Sequence, residues 1–286
     1  MHVFLVLVWL CSLAVVKAQD APAPAALNVL TFNLRYNNPD DGANAWPHRK
    51  ELVAKVFTDH QADIAGCQEA LAGMLDDLGG LLPGYAFIGV GREDGKKQGE
   101  FSPILYRKDR LTLEKQGVFW LSETPEIVGS KGGDAALSRI ATWGVFRENA
   151  SGKEFLFINT HFDHKGDVAR RESAKLLIER AAALSEGKLP VILTGDFNTT
   201  PETPAIQTLT SDARLKLTDS ARISRTPHTG GKMTFNGFGS EKSDKVIDFI
   251  FVGPGVRVEN HGYFPQIEGG LYVSDHWPVL SKVLLP

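Results

Sequence analysis

Residues Pro190–Pro204 read PVILTGDFNTTPETP. The apolar run Val191-Ile192-Leu193 is rich in β-branched residues and stops at Gly195-Asp196-Phe197-Asn198. This pattern predicts a buried strand that delivers polar side chains to its C-terminal edge. Asp196 and Asn198 stand two residues apart, so extended backbone points them to the same side. One is an anionic acceptor; the other is an amide that both donates and accepts. Such a pair can hold a water, a metal ion and a phosphate oxygen together. The plainer reading is a strand end closed by an Asx-turn. The rest of the chain decides between the two.

Other strands end the same way. Leu27–Phe32 runs into Asn33-Leu34-Arg35, Asp63–Cys67 into Gln68-Glu69, and Phe155–Thr160 into His161. Trp277–Leu284 is entered through Ser274-Asp275-His276. Lys245–Val252 reads as a strand with Asp248 inside it, between Ile247 and Phe249. A carboxylate buried there must be paired, ligate something, or be satisfied by backbone amides. Further strands are predicted at Tyr85–Gly89, Phe101–Tyr106, Leu111–Leu121, Ile140–Arg147 and Val256–Tyr263.

Helical spacing marks His48–His60, with Leu52, Val53, Val56 and Phe57 on one face. Leu71–Leu82 is a second helix, closed by Pro83-Gly84. Val168–Leu184 is a third, with Asp167 as its expected cap and Ala174, Leu177, Ile178, Ala181 and Leu184 facing inward. A short fourth lies near Glu202–Leu209. Long loops cover Tyr36–Pro47, Gly91–Gly99, Ser122–Leu137 and Ser224–Gly239. Ser122–Leu137 is a candidate substrate loop.

Residues 1–18 carry an apolar core and the small residues Val16 and Ala18 before Gln19, the pattern of a secretory signal cleaved near Ala18. They are too short for a clear membrane span, although an uncleaved anchor is the alternative. Export would place the mature chain outside the cell or in a periplasm. Gln19–Ala26 reads as a flexible linker, and residues 27–286 as one domain with no internal repeat. The net charge is −3 over the 286 residues, or −4 without Lys17. No basic stripe of the kind used by non-specific duplex-DNA binders is visible. Small or membrane-displayed phosphate esters are therefore better substrate candidates than long DNA. Of the two cysteines, Cys11 lies in the leader, so the mature chain has only Cys67 and no internal disulfide. Cys67 reads as a small buried filler rather than a nucleophile. No obligate protein partner is evident, and a monomer is expected.

The order of the polar motifs resembles the endonuclease/exonuclease/phosphatase (DNase I-like) superfamily. The matching stretches are TFNLR around Asn33, CQEA around Glu69, GEFSPILY around Glu100 and FINTHFDH around His161. They continue with LTGDFN around Asp196 and Asn198, IDFIFV around Asp248, and SDHWPV around Asp275 and His276. The resemblance spans Leu27 to Val283. It implies an α/β fold of four layers, two packed mixed β-sheets flanked by helices. It also implies Mg²⁺ or Mn²⁺ and in-line attack of water on a phosphate ester. Carboxylates and amides are hard oxygen ligands of the kind Mg²⁺ takes. There is no Cys/His cluster of the zinc type and no P-loop.

The resemblance implies roles for these residues. Glu69 is the main metal ligand, helped by Asn33, with Asp275 completing the acidic ring. Asp196 orients and deprotonates the water while Asn198 holds a phosphate oxygen. Asp248 sets the tautomer of His276, and Glu100 is expected to pair with His161 in the same way. His276 and His161 neutralise charge on the phosphoryl oxygens. Asp163 and His164 depart from the commoner pattern and could mimic a metal pair, but Asp163 reads better as a support for its loop and His164 as lining of the pocket. Arg170 and Arg171, at a helix start, are candidate phosphate binders or simply a solvated face. Trp46, Trp120 and Trp143 could stack on a base or sugar, though Trp143 reads better as packing. The function expected is hydrolysis of phosphate esters, a phosphodiesterase first and a secreted DNA or RNA nuclease second. Sphingolipid head groups and inositol phosphates are also candidate substrates. The rival from another class is a catalytically dead phosphate-binding module.

Overall fold

A computed structural model describes residues 25–286. The predicted signal segment and most of the predicted linker lie outside the described residues. The end of that linker belongs to the fold. Ala25 is buried and its carbonyl accepts from Leu285 N at 2.9 Å, and Ala26 opens the first strand. Among the described residues no helix is long and apolar enough to cross a membrane.

The chain begins with β1 (Ala26–Asn33), α1 (Trp46–Asp59), β2 (Ile64–Gln68), α2 (Ala72–Leu81), β3 (Tyr85–Ile88) and β4 (Ile104–Arg107). It continues with β5 (Leu111–Trp120), β6 (Ile140–Glu148), β7 (Glu154–His161), α3 (Asp167–Ser185), β8 (Val191–Asp196) and α4 (Pro204–Ser211). Short elements follow: β9 (Thr218–Asp219), α5 (Ser220–Ile223) and β10 (Thr229–Gly230). The last are β11 (Asp248–Val252), β12 (Arg257–Tyr263), β13 (Ile267–Glu268), β14 (Leu271–Tyr272) and β15 (Val279–Leu284). One sheet has seven strands in the order β10-β12-β15-β1-β2-β4-β3. The other has six, β5-β6-β7-β8-β11-β9. β13 and β14 form a small separate hairpin.

The sheets stack face to face because their strands are apolar on both sides. In β1, Leu27 and Val29 face the second sheet, while Leu30 and Phe32 face α1 and α2. α1 supplies Val53, Val56 and Phe57 to that outer layer. On the other side, α3 and α4 cover the second sheet with Ala174, Leu177, Ile178, Ile206 and Leu209, against Leu193 and Phe251. The inner layer holds Ile64, Phe155, Phe157, Ile192 and Ile250. Burying each large side chain contributes about 1.5–3 kcal/mol. The result is the expected four-layer α/β sandwich.

Each sheet contains one parallel pair joined through a helix: β1-α1-β2 and β7-α3-β8. Parallel strands need such a crossover, and their C-terminal ends share one edge. Between the sheets, just below that edge, lies a buried polar layer. Asn159 accepts from Gln68 Nε2 (2.7 Å) and Thr194 Oγ1 (3.1 Å), and donates to the carbonyls of Cys67 (2.7 Å) and Pro103 (3.0 Å). Gly66 must be glycine here, since a Cβ would overlap Thr194 Oγ1 and the Asn159 side chain. Cys67 is fully buried on the helix side, and burial pushes its thiol up, as fits an inert filler.

Two local expectations change. Asp248 is the first residue of β11, not an interior one, so it too stands at a strand entrance. Asp167 does not cap α3; its side chain is exposed. Asp134, from the 122–137 loop, accepts from Ala169 N (2.7 Å) and Val168 N (3.3 Å) instead. An aspartate arriving from another segment meets the free N–H groups as well as a local cap would.

Candidate active site

Strand parity places the polar groups. In β7, Phe155, Phe157, Asn159 and His161 share one face; in β8, Ile192, Thr194 and Asp196 do; in β11, Asp248, Ile250 and Val252 do. Each series starts or ends in the layer between the sheets. Register does the rest. Parallel pairing sets His161 beside Asp196, and antiparallel pairing sets Asp248 beside Asp196. Asn33 and Glu69 reach the same edge from the first sheet. The edge opens as a cleft of about 450 Å³, lined by Glu69, Glu100, His161, Asp196, Asn198, Asp275 and His276. A larger hollow of about 610 Å³, between residues 121–132 and α3, contains none of these groups.

Three non-glycine residues around the cleft have left-handed backbone: Arg35 (φ 56°), Glu69 (φ 61°) and Asn198 (φ 49°). Such strain costs on the order of 1–3 kcal/mol per residue and gathers at functional sites. At Glu69 it has a clear use. Strict alternation would send Glu69 to the helix side with Cys67; the turn brings its carboxylate to the cleft.

His276 Nδ1 lies 2.8 Å from Asp248 Oδ2, and its Nε2 lies 3.8 Å from Asp196 Oδ2. Burial opposes its charge, but Asp248 and Asp196 outweigh burial and raise it to about 10. Asp196 is pushed up to about 7, by burial first and then by Asp248. Its Oδ1 accepts from Asn198 N (2.8 Å) and its Oδ2 from Asn33 Nδ2 (2.9 Å). Ligand atoms of Asp196, Asp248 and His276 fall within 4.8 Å of one another. A protonated imidazole has no lone pair for a metal, so this trio reads better as a charge cluster than as a metal cage.

Glu69 and Asp275 fit a hard cation better. Both open into the cleft, and Asp275 is raised by burial and by Glu69 beside it. Two adjacent carboxylates facing open space suit Mg²⁺ or Mn²⁺. Asn33 is fully buried behind them and does not line the cleft. Its Oδ1 accepts from Arg35 N (2.9 Å), and its Nδ2 donates to Glu69 Oε1 (3.1 Å) and Asp196 Oδ2 (2.9 Å). Both amide protons go to carboxylates, so none is left for a phosphate oxygen, while Oδ1 keeps one lone pair. It links the two acids.

His161 also departs from expectation. Burial first, then Arg139 and Arg92, holds it well below the usual range, so it is neutral. Asn198 Nδ2 lies 2.9 Å from its Nε2. It hydrogen-bonds rather than neutralises charge. Glu100 does not pair with it as Asp248 pairs with His276. Both Glu100 oxygens are taken by Arg92 (2.7 and 2.9 Å), leaving His161 Nδ1 at 3.8 Å. A bidentate guanidinium outcompetes an uncharged imidazole for a carboxylate.

Arg170 and Arg171 are outside the cleft. The buried Arg170 guanidinium donates to Asp163 O (2.7 Å) and to Asp167, while the half-exposed Arg171 meets Glu172. Arg170 braces the loop rather than a ligand. Asp163 does support its loop, accepting from the N–H groups of Leu137, Lys165 and Gly166. His164 and Leu137 line the cleft. Leu137 is the only part of the 122–137 loop that reaches it. None of the three tryptophans is at the cleft. Trp46 donates to Asp77 and Trp120 to the Arg92 carbonyl, both buried, and Trp143 packs under α3.

Three arginines escaped the sequence reading. Arg139 stands at the entrance of β6 and lines the cleft, so the rule that found Asp196 would have found it. Arg49 lies on the apolar face of α1, three residues before Leu52 and four before Val53. It is fully buried and donates to the carbonyls of Leu34, Arg35, Asn44 and Val273, tying the two loops that flank the site. Burial lowers it to about 10. Arg92 sits in a Gly-rich loop and gave no signal.

The model of the Endonuclease/Exonuclease/phosphatase family matches residues 30–276. No curated protein matches the chain. Among solved structures, an endonuclease/exonuclease/phosphatase from Bacteroides vulgatus is 41% identical; the match covers 91% of this chain and 99% of that one, with TM-score 0.88. A mannosyl-6-phosphatase from Bacteroides thetaiotaomicron is 40% identical, covering 91% and 100%, with TM-score 0.84. The human Nocturnin catalytic domain shares the fold at 17% identity, covering 93% and 96%, with TM-score 0.74. From the family match over most of its length, and from relatives of this identity, the chain belongs to the endonuclease/exonuclease/phosphatase family.

Proposed function

We propose that the protein is a divalent-metal-dependent hydrolase of phosphate esters that uses water as its nucleophile. The observation that carries this is the convergence, from two sheets, of Asp196 with Asn198, the His276–Asp248 pair, and the open carboxylates of Glu69 and Asp275. Asp196, raised to about 7, is matched to taking a proton from water near neutral pH. The Asn198 backbone N–H fixes which way that carboxylate faces. His276, kept cationic by Asp248, places positive charge where the phosphoryl oxygens gain negative charge. His161 is neutral and its Nε2 accepts from Asn198 Nδ2, which also donates to the Phe162 carbonyl, so the ring fixes the Asn198 side chain at the cleft. A metal held by Glu69 and Asp275 would supply Lewis-acid polarisation of the phosphorus–oxygen bond.

The sequence suggested a phosphodiester first. The 40% identity to a mannosyl-6-phosphatase moves the preference to a phosphate monoester, with a sugar phosphate as the leading class. The test is a substrate panel with and without EDTA. It contains hexose 6-phosphates, p-nitrophenyl phosphate, bis-p-nitrophenyl phosphate, plasmid DNA, an oligoribonucleotide, sphingomyelin and inositol phosphates. Metal-dependent turnover of a monoester is expected. No turnover of any ester would leave the phosphate-binding module as the better reading.

A further inference from the structure

We propose that Arg139 is the specificity-determining residue of this cleft, binding the extra negative charge that distinguishes a phosphate monoester from a diester. The inference rests on the functional reading above and deepens it. Arg139 lies at the entrance of β6, the strand next to the one that carries His161, and it lines the cleft together with His164. It is 4% exposed. Its Nη2 is 3.0 Å from His164 Nδ1, while Nε and Nη1 have no hydrogen-bond partner among the described residues. Four of the five N–H groups of the guanidinium thus make no hydrogen bond.

A buried cation left this way is costly, and native structures rarely leave one so. Its neighbours satisfy it only in part. Asp163 Oδ2 pairs with Nε at 3.5 Å as an ion pair without hydrogen-bond geometry, and that carboxylate also accepts three backbone N–H groups. Both oxygens of Glu100 belong to Arg92. His164 can accept from Arg139 only as a neutral ring, so it brings no counter-charge. Burial first, then the charge of Arg92, disfavours the Arg139 cation, and Glu100, Asp163 and Asp196 sustain it from around the cleft. The missing partner is therefore an anion that enters the cleft beside Asp196. A diester brings one negative charge at phosphorus. A monoester brings a second, and a guanidinium suits phosphate oxygens through several N–H groups at once.

The test compares p-nitrophenyl phosphate with bis-p-nitrophenyl phosphate, which share a leaving group, on wild-type protein, Arg139→Gln and Arg139→Lys. Affinity for inorganic phosphate is measured in parallel by calorimetry. Arg139→Gln is expected to lower kcat/KM for the monoester by roughly 10–100-fold, the scale of hydrogen bonds to charged groups, with the diester nearly unchanged. Phosphate affinity should fall by a similar factor, and Arg139→Lys should lie between. Equal losses on both esters, or unchanged phosphate affinity, would overturn the proposal and leave Arg139 as a brace for the His164 loop. If Arg139→Gln does not fold, the ester ratio of Arg139→Lys decides. Wild-type protein inactive on both esters overturns the functional reading, and phosphate affinity then still decides the role of Arg139.

Discussion

Asn33, at the end of β1 in one sheet, donates a 2.9 Å hydrogen bond to Asp196, at the end of β8 in the other. The same amide donates to Glu69, so it holds two like charges apart while satisfying both. This bond lowers the pKa of Asp196 against the burial that raises it. Removing it raises Asp196 further, and a base with a higher pKa stays protonated to higher pH. In Asn33→Ala the acidic limb of the pH–rate profile is therefore expected to move to higher pH, with lower turnover below it. A profile measured from acid to neutral pH with an unmoved limb would contradict Asp196 as the titrating base.

His276 and Asp248 form one unit. A carboxylate buried at 1% exposure needs its imidazole, and the imidazole needs the carboxylate to stay charged. Either His276→Ala or Asp248→Asn is expected to lower turnover by roughly 10²–10⁴. The double variant should lose little more than one of them, because effects within a unit are non-additive. A double-mutant cycle on one ester, with folding followed by circular dichroism, measures this. Fully multiplicative losses mean independent roles.

Chelation is the third expectation. Activity should vanish in EDTA and return with Mg²⁺ or Mn²⁺. Glu69→Gln replaces one anionic oxygen donor with a neutral one, so the metal concentration needed for half-activation should rise while the thermal midpoint stays close to wild type. An unchanged activation curve would place the cation elsewhere.

A stability effect is expected far from the cleft. His261 is buried with Ser220 and Ser281 on its Nδ1, while Tyr263 and the exposed His228 flank its ring. Burial, then His228, lowers it to about 3. The unfolded chain takes up this proton near pH 6.5, whereas the folded chain refuses it until about 3. The unfolded state thus binds more protons across that window, and stability falls as the pH drops through it. His261→Gln keeps a hydrogen-bonding group and removes the titration. Its loss of Tm between about pH 7 and about pH 4.5 should be smaller than that of wild type. Equal losses would show that His261 does not contribute to acid sensitivity.

The fold was legible because the strands are apolar on both faces and polar only at one end. The same abrupt ending marked Asn33, Glu69, His161 and Asp196 before any geometry was known. Side-chain pairings were harder to read. Glu100 looks like a partner for His161 until Arg92 arrives from a glycine-rich loop with no periodicity. Arg170 looks like an anion binder because it starts a helix, yet its direction inward depends on the Asp163 carbonyl. Asp134 caps α3 from more than thirty residues away, a distance no local motif spans. Arg139 was readable in principle, since it obeys the positional rule, but a lone arginine before a strand carries no family motif.

The buried amide layer beneath the site has one more consequence. Asn33 and Glu69 are carried by one crossover unit, His161 and Asp196 by another, each backed by its own helices. Neither unit is a working half. Sliding one past the other by even an ångström would leave every secondary-structure element intact and separate Glu69, the proposed cation ligand, from Asp196, the proposed base. Asn159, bonded to Gln68 and to the Cys67 and Pro103 carbonyls, acts as the alignment pin. The proposed catalysis would therefore work as a ruler between two slabs, sensitive to offsets that spectroscopy of helices and strands would not register.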